Sequence, residues 1–155
     1  MILPDRTLPL NHKVILAAII LAALLLRVYD LDLIPLNHDE RWLAVEGVDI
    51  IKEGGTNKVF NIPISFYSGK EIILFYLFTF LSSRFFIDPA VAVRVPSIAF
   101  GILTVFFTYL VACRMYGKKA GLLSALFMAF LPWHIIMSRI GFKAIMAPLF
   151  GTIIF

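Results

Sequence analysis

The chain has 155 residues, of which 61% are hydrophobic and only 15% charged. Soluble domains sit nearer half apolar and a quarter charged, so this composition, with 15 Phe, excludes a soluble domain, a disordered chain and a nucleic-acid-binding module, and it defines an integral membrane protein. The net charge of +4 comes from Lys and Arg scattered at the ends of apolar runs, and the lone cysteine, Cys113, allows neither an internal disulfide nor a cysteine metal-site spacing.

The first apolar run, residues 14–26, is bracketed by Lys13 and Arg27. Snorkelling of these cations and continuation to residue 29 make it a span. Arg27-Val-Tyr-Asp follows with no small-residue cleavage site, which predicts an uncleaved anchor rather than a signal peptide. The stretch 29–71 is the most polar part of the chain, and its acidic residues outnumber its basic ones. Within it, residues 38–53 have helical periodicity, with Leu43, Ala44, Val48 and Ile51 on one side and Arg41, Glu46, Asp49 and Glu53 on the other. Asn37, with Glu40 three residues on, has capping-box spacing, and Gly54-Gly55 ends the helix. This helix is too short and too charged to cross a bilayer and is predicted to lie on the membrane surface.

Residues 72–87 are apolar and aromatic, but their uninterrupted core stops at Leu81. Residues 95–113 form a clear span opened by Pro96. A short turn with Arg114, Lys118 and Lys119 leads to a second clear span, 120–137, interrupted late by Pro132. After the polar turn 138–143, an apolar run over 144–155 has less than the ~20 residues a span needs. The sequence therefore reads as the N-terminal part of a longer protein, with its fourth span incomplete.

Short cation-rich loops stay on the cytoplasmic side. Arg6 and Lys13 place the N-terminus there, and Arg114, Lys118 and Lys119 place the later turn there. An even number of crossings must separate the two, so one of the three intervening runs does not cross. The weakest is the second, predicted to be a juxtamembrane helix over 71–87. Residues 30–94 then form one external loop with two surface helices, facing the same side as Ser138-Arg139.

Several passages carry a resemblance. Arg27-Val-Tyr-Asp-Leu-Asp-Leu-Ile-Pro leads into His38-Asp39-Glu40, then an amphipathic helix ending at Glu53-Gly54-Gly55. Ser68-Gly69-Lys70 precedes the aromatic helix, and Ala92-Val93-Arg94-Val95-Pro96-Ser97 opens a span. Arg114-Met-Tyr-Gly117, Ala120-Gly121-Leu122-Leu123, Pro132-Trp133-His134 and Ser138-Arg139-Ile140 follow in order. This series resembles the N-terminal part of the polyprenyl-phosphate-sugar-dependent glycosyltransferases of the GT-C superfamily, nearest to the protein O-mannosyltransferases and the lipid A aminoarabinose transferases. The resemblance implies an all-α, multi-pass module of the cell (inner) membrane, with its N-terminus cytoplasmic and external juxtamembrane helices. It also implies transfer of a sugar from a polyprenyl-phosphate donor to a hydroxyl of a protein or lipid acceptor at the outer face. Two departures stand out. Lys70 is followed by Glu71 where the family often has proline, and residues 140–147 lack the second carboxylate many members carry.

Such a reaction needs a base for the acceptor proton and a cation for the departing phosphate. Asp39 is the candidate base; the alternative is that Asp39 and Glu40 merely favour a helix N-terminus. Glu40 can position Asp39, bind a divalent cation or complete the capping box with Asn37. Hard carboxylate oxygens suit Mg²⁺ or Mn²⁺, although two carboxylates do not define a metal site. Lys70, Arg94 and Arg139 are candidates for the phosphate, against the reading that each is a snorkelling cation at a helix end. His134 is a candidate donor to phosphate or acceptor, or equally an interfacial histidine beside Trp133. The run Phe75-Tyr76-Leu77-Phe78 anchors an interface or lines an isoprenoid groove. Two other classes compete: a fragment of a polytopic transporter, which would carry charges at mid-membrane, and a non-catalytic protein that keeps the same fold. The two clear spans hold no Asp, Glu, Lys or Arg, which favours chemistry at the interface.

Overall fold

The computed structural model describes residues 10–31, 35–41 and 73–155. Every regular element among them is helical: α1 (Leu10–Val28), α2 (His38–Arg41), α3 (Ile73–Ser83), α4 (Pro89–Tyr116), α5 (Lys118–Phe130), α6 (Pro132–Arg139), a 3-10 turn (Lys143–Ile145) and α7 (Met146–Ile154). Two helices are long and apolar enough to cross a membrane, and the bent pair α5–α6 makes a third if it is one span. The protein is an all-α membrane module.

The central element is α4, whose 28 residues rise about 42 Å, beyond the ~30 Å of a hydrocarbon core. The sequence placed its start at residue 95, from Pro96. The helix instead begins at Pro89, where the Asp88 carboxylate accepts the Ala90 N–H at 2.8 Å. Pro89 takes the first-turn place that suits proline. Pro96 lies inside the helix and lacks the N–H that would donate to Ala92 O.

The predicted span 120–137 is broken. Leu131, held extended (φ −63°, ψ 114°) ahead of Pro132, separates α5 from α6, and the two axes differ by 58°. The aromatic run predicted over 71–87 is described as the 11-residue α3, which rises about 16 Å. Of the helix predicted over 38–53, only α2 falls within the described residues; the rest lies outside them, as does Lys70.

Two apolar clusters hold the bundle. Ile19 and Ala23 of α1 pack with Val105 and Tyr109 of α4 and with Ala125 and Ala129 of α5. On the other side of α4, Phe75, Val93, Phe100, Ile145, Met146 and Leu149 join α3 and α7 to it. Phe78 meets the Phe100 ring edge-on at 5.3 Å. Outward-facing Leu21, Leu25, Leu103, Leu123 and Phe127 are exposed, a pattern suited to lipid and costly in water.

Helix direction sorts the charges. Arg27 near the end of α1 reaches Ala129 near the end of α5, so these two helices run the same way. The hairpin at Gly117 (φ 88°) makes α4 antiparallel to α5. One end of the bundle therefore carries Lys13, Arg114, Lys118 and Lys119. The opposite end gathers Arg27, Glu40, Arg94 and Arg139.

Candidate functional site

The site end is assembled around one carboxylate. Asn37 Oδ1 accepts the Glu40 N–H at 2.8 Å, and Glu40 Oε2 accepts the Asn37 N–H at 3.0 Å. This is the reciprocal capping box that the spacing predicted. Glu40 then reaches across the bundle. Its Oε1 accepts from Arg94 Nε at 2.8 Å and from the Gly141 N–H at 2.9 Å, and its Oε2 accepts from the far Arg94 nitrogen at 3.1 Å. Both side chains are only 1% exposed, so the pair is shielded from water. Arg94 also donates to Leu31 O, tying down the segment that leaves α1.

Four donors thus converge on two oxygens, which fills the acceptor capacity of a carboxylate. Glu40 has no lone pair left for a metal ion. Among the described residues no cluster of three or more His, Cys, Asp or Glu side chains is placed to hold one. Burial acts most strongly on the Glu40 carboxyl and works to raise its pKa. The Arg94 hydrogen bond, the Gly141 and Asn37 N–H groups and the Arg94 charge outweigh it and hold the group below its ordinary value.

Gly141 permits this geometry. A Cβ at that position would lie 2.1 Å from Val93 Cγ1 and 3.2 Å from Val93 O. The turn after α6 therefore rests directly on the α4 backbone, close enough for its N–H to reach Glu40. Gly141→Ala should lift the turn and strand one buried acceptor site, a loss of about 1–3 kcal/mol. Thermal unfolding of the full-length protein in detergent reads it; an unchanged midpoint would show that the turn yields freely.

Arg139 occupies a different position. The chain leaves α1 through Asp30 in the left-handed region (φ 53°), which presents carbonyls past the helix end. Arg139 donates to Tyr29 O at 2.7 Å and Asp30 O at 3.1 Å, with a longer contact to Leu26 O at 3.5 Å. A cation is favoured at this negative helix end. Unlike Arg94, Arg139 makes these contacts at the exposed rim. His134, one turn deeper, is buried and accepts on Nδ1 from Arg27 at 2.8 Å.

Of the six candidate residues, Glu40, Arg94 and Arg139 stand at this end, with Glu40 and Arg94 in direct contact. His134 lies beneath them, bound to Arg27. Asp39 belongs to α2, next to Glu40 in the chain, and its side chain lies outside the described residues; Lys70 lies wholly outside them. Sequence reasoning missed the Arg27–His134 contact, the Glu40–Arg94 pairing and the role of Gly141. A hint was present for Arg94: a cation flanked by Val93, Val95 and Pro96 needs a partner in apolar surroundings.

Over residues 70–152, just over half of its length, the chain matches the family described as dolichyl-phosphate-mannose-protein mannosyltransferase. The matched stretch contains Lys70, Arg94, His134, Arg139 and Gly141 and begins after Asp39-Glu40. Searches of curated proteins and of solved structures find no match. The chain belongs to the dolichyl-phosphate-mannose-protein mannosyltransferase family, and is thus a membrane glycosyltransferase sequence whose sugar donor is linked to a lipid phosphate.

Proposed function

We propose that this site end transfers a sugar from a polyprenyl phosphate to a hydroxyl of a protein or lipid acceptor at the outer membrane face. Asp39 takes the acceptor proton as the hydroxyl oxygen attacks the anomeric carbon. The bond from that carbon to the phosphate oxygen breaks, and the lipid phosphate leaves with the electron pair. Arg139 meets the departing charge from the rim, with Lys70 as a second cation. The observation that carries this reading is the saturated Glu40 carboxylate. With all its acceptor sites used inside the protein, Glu40 serves to fix the first turn of α2, which makes Asp39 the carboxylate of the pair assigned to chemistry. Arg94 acts through Glu40 as a positioning residue and does not touch the donor phosphate. The test is transfer from a polyprenyl-phosphate-linked sugar by the full-length protein, compared with Asp39→Asn.

The outer placement is supported by the cations gathered at the opposite end, which belong on the cytoplasmic side. In this arrangement α3 stays at the outer surface and does not cross. Cysteines introduced at Ser68 and Asp88 should both react with an impermeant reagent from outside. Labelling from opposite sides would overturn the arrangement and move Arg139 to the cytoplasmic face.

A further inference from the structure

Arg27 is fully buried, at 0% exposure, inside a bundle of membrane helices. Its hydrogen-bond partners are two carbonyls and an imidazole rather than a carboxylate. One guanidinium nitrogen donates to Ala23 O of its own helix at 2.8 Å and to Ala129 O of α5 at 3.2 Å. The second terminal nitrogen donates to His134 Nδ1 of α6 at 2.8 Å. Ala129 lies before the break at Leu131 and His134 after it, so one side chain holds both halves of a broken helix.

The break itself explains the need. In a continuous helix Ala129 O would accept from the Trp133 N–H. α5 stops at Phe130 and Leu131 is extended, so that donor is withdrawn from Ala129 O. A buried carbonyl left without a donor is costly, and Arg27 supplies the replacement. An arginine only donates, so His134 Nδ1 accepts, and the ring is neutral with its proton on Nε2. Gly101 of α4 leaves room for the contact. A Cβ there would stand 2.6 Å from Ser138 Cβ and 3.3 Å from Arg27 Nε.

We propose that Arg27 is a staple that fixes the angle between α5 and α6 and, through α6, the position of Arg139 and the Gly141 turn. The staple stands on the helix break alone. Only its consequence for transfer rests on the reading of the site given above.

The experiment measures the angle without any substrate. Full-length protein in lipid nanodiscs, in a Cys113→Ala background, carries spin labels at the exposed positions Leu25 of α1 and Ile136 of α6. A second labelled pair, Met115 of α4 and Leu123 of α5, lies away from the break and is also exposed. Arg27→Met should broaden the first distance distribution by several ångström and leave the second unchanged. His134→Leu, which removes the acceptor, should broaden the first pair in the same direction and keeps the test open should Arg27→Met not fold. His134→Asn, whose side-chain oxygen takes the place of Nδ1, should restore a narrow distribution. An unchanged first pair in both Arg27→Met and His134→Leu would overturn the staple. Equal broadening of both pairs would overturn it too, because it would mean general loosening. His134→Asn behaving like His134→Leu would show that packing, not the hydrogen bond, sets the angle.

Discussion

Asp39→Asn in the full-length protein should reduce turnover at saturating donor by roughly 10²-fold or more, the scale of losing a general base. The substitution keeps the size of the side chain and removes the proton acceptor. It should leave α2 in place, because the helix is capped by Asn37 and anchored by Glu40. Donor affinity should change little, since the cations assigned to the phosphate lie elsewhere. Turnover and donor affinity measured on the same preparation separate the possibilities. Near wild-type turnover would return Asp39 to a bland place in a helix first turn. A loss of donor affinity with turnover retained would move Asp39 to donor binding, and the base would have to be sought elsewhere.

What the sequence reveals depends on the range over which each interaction acts. Apolar runs and the cations that bound them are local, so the helical membrane architecture is readable from them. The Asn37–Glu40 box spans three positions and shows in the spacing alone. The Glu40–Arg94 pair spans 54 positions and the Arg27–His134 contact 107, and no local pattern records either. Arg94 read as a snorkelling cation or a phosphate ligand because the sequence put it at a helix start. With more of α4 ahead of it than Pro96 implied, it sits in the second turn and faces inward. The start at Pro89 carries a local signal that the sequence reading passed over, Asp88 as N-cap directly before a first-turn proline, whereas Pro96 lies deeper inside the helix. Pro132 announced an interruption, but the 58° bend that follows also depends on a donor, Arg27, that belongs to another helix. The close approach of Gly141 to Val93 is purely tertiary.

Arg94→Met should destabilise the fold more than Gly141→Ala or Asp39→Asn. It keeps much of the side-chain volume but leaves Glu40 buried with only the Gly141 and Asn37 N–H groups. Removing one partner of a buried ion pair costs about 3–5 kcal/mol. Glu40→Met removes the other charge, and the double variant Arg94→Met with Glu40→Met leaves neither. The double variant should therefore recover part of the loss, since replacing a buried pair by apolar groups is often near neutral. Additive single effects would show that the pair is not coupled. The dependence on pH supplies an independent sign. In the wild type the Glu40 pKa lies below its unfolded value of about 4.3. The pair's contribution is then present above that value and is lost as pH falls through the lower, folded one. Without Arg94, burial is left as the strongest influence on Glu40 and pushes its pKa upward. In Arg94→Met the carboxylate is then a burden at neutral pH that protonation relieves. The stability gap between wild type and variant should accordingly narrow as the pH is lowered from 7 towards about 4. Unfolding midpoints of both proteins in detergent across that range decide the matter: a gap that stays constant or widens would mean that Glu40 keeps its charge by other means and that Arg94 is not its principal partner.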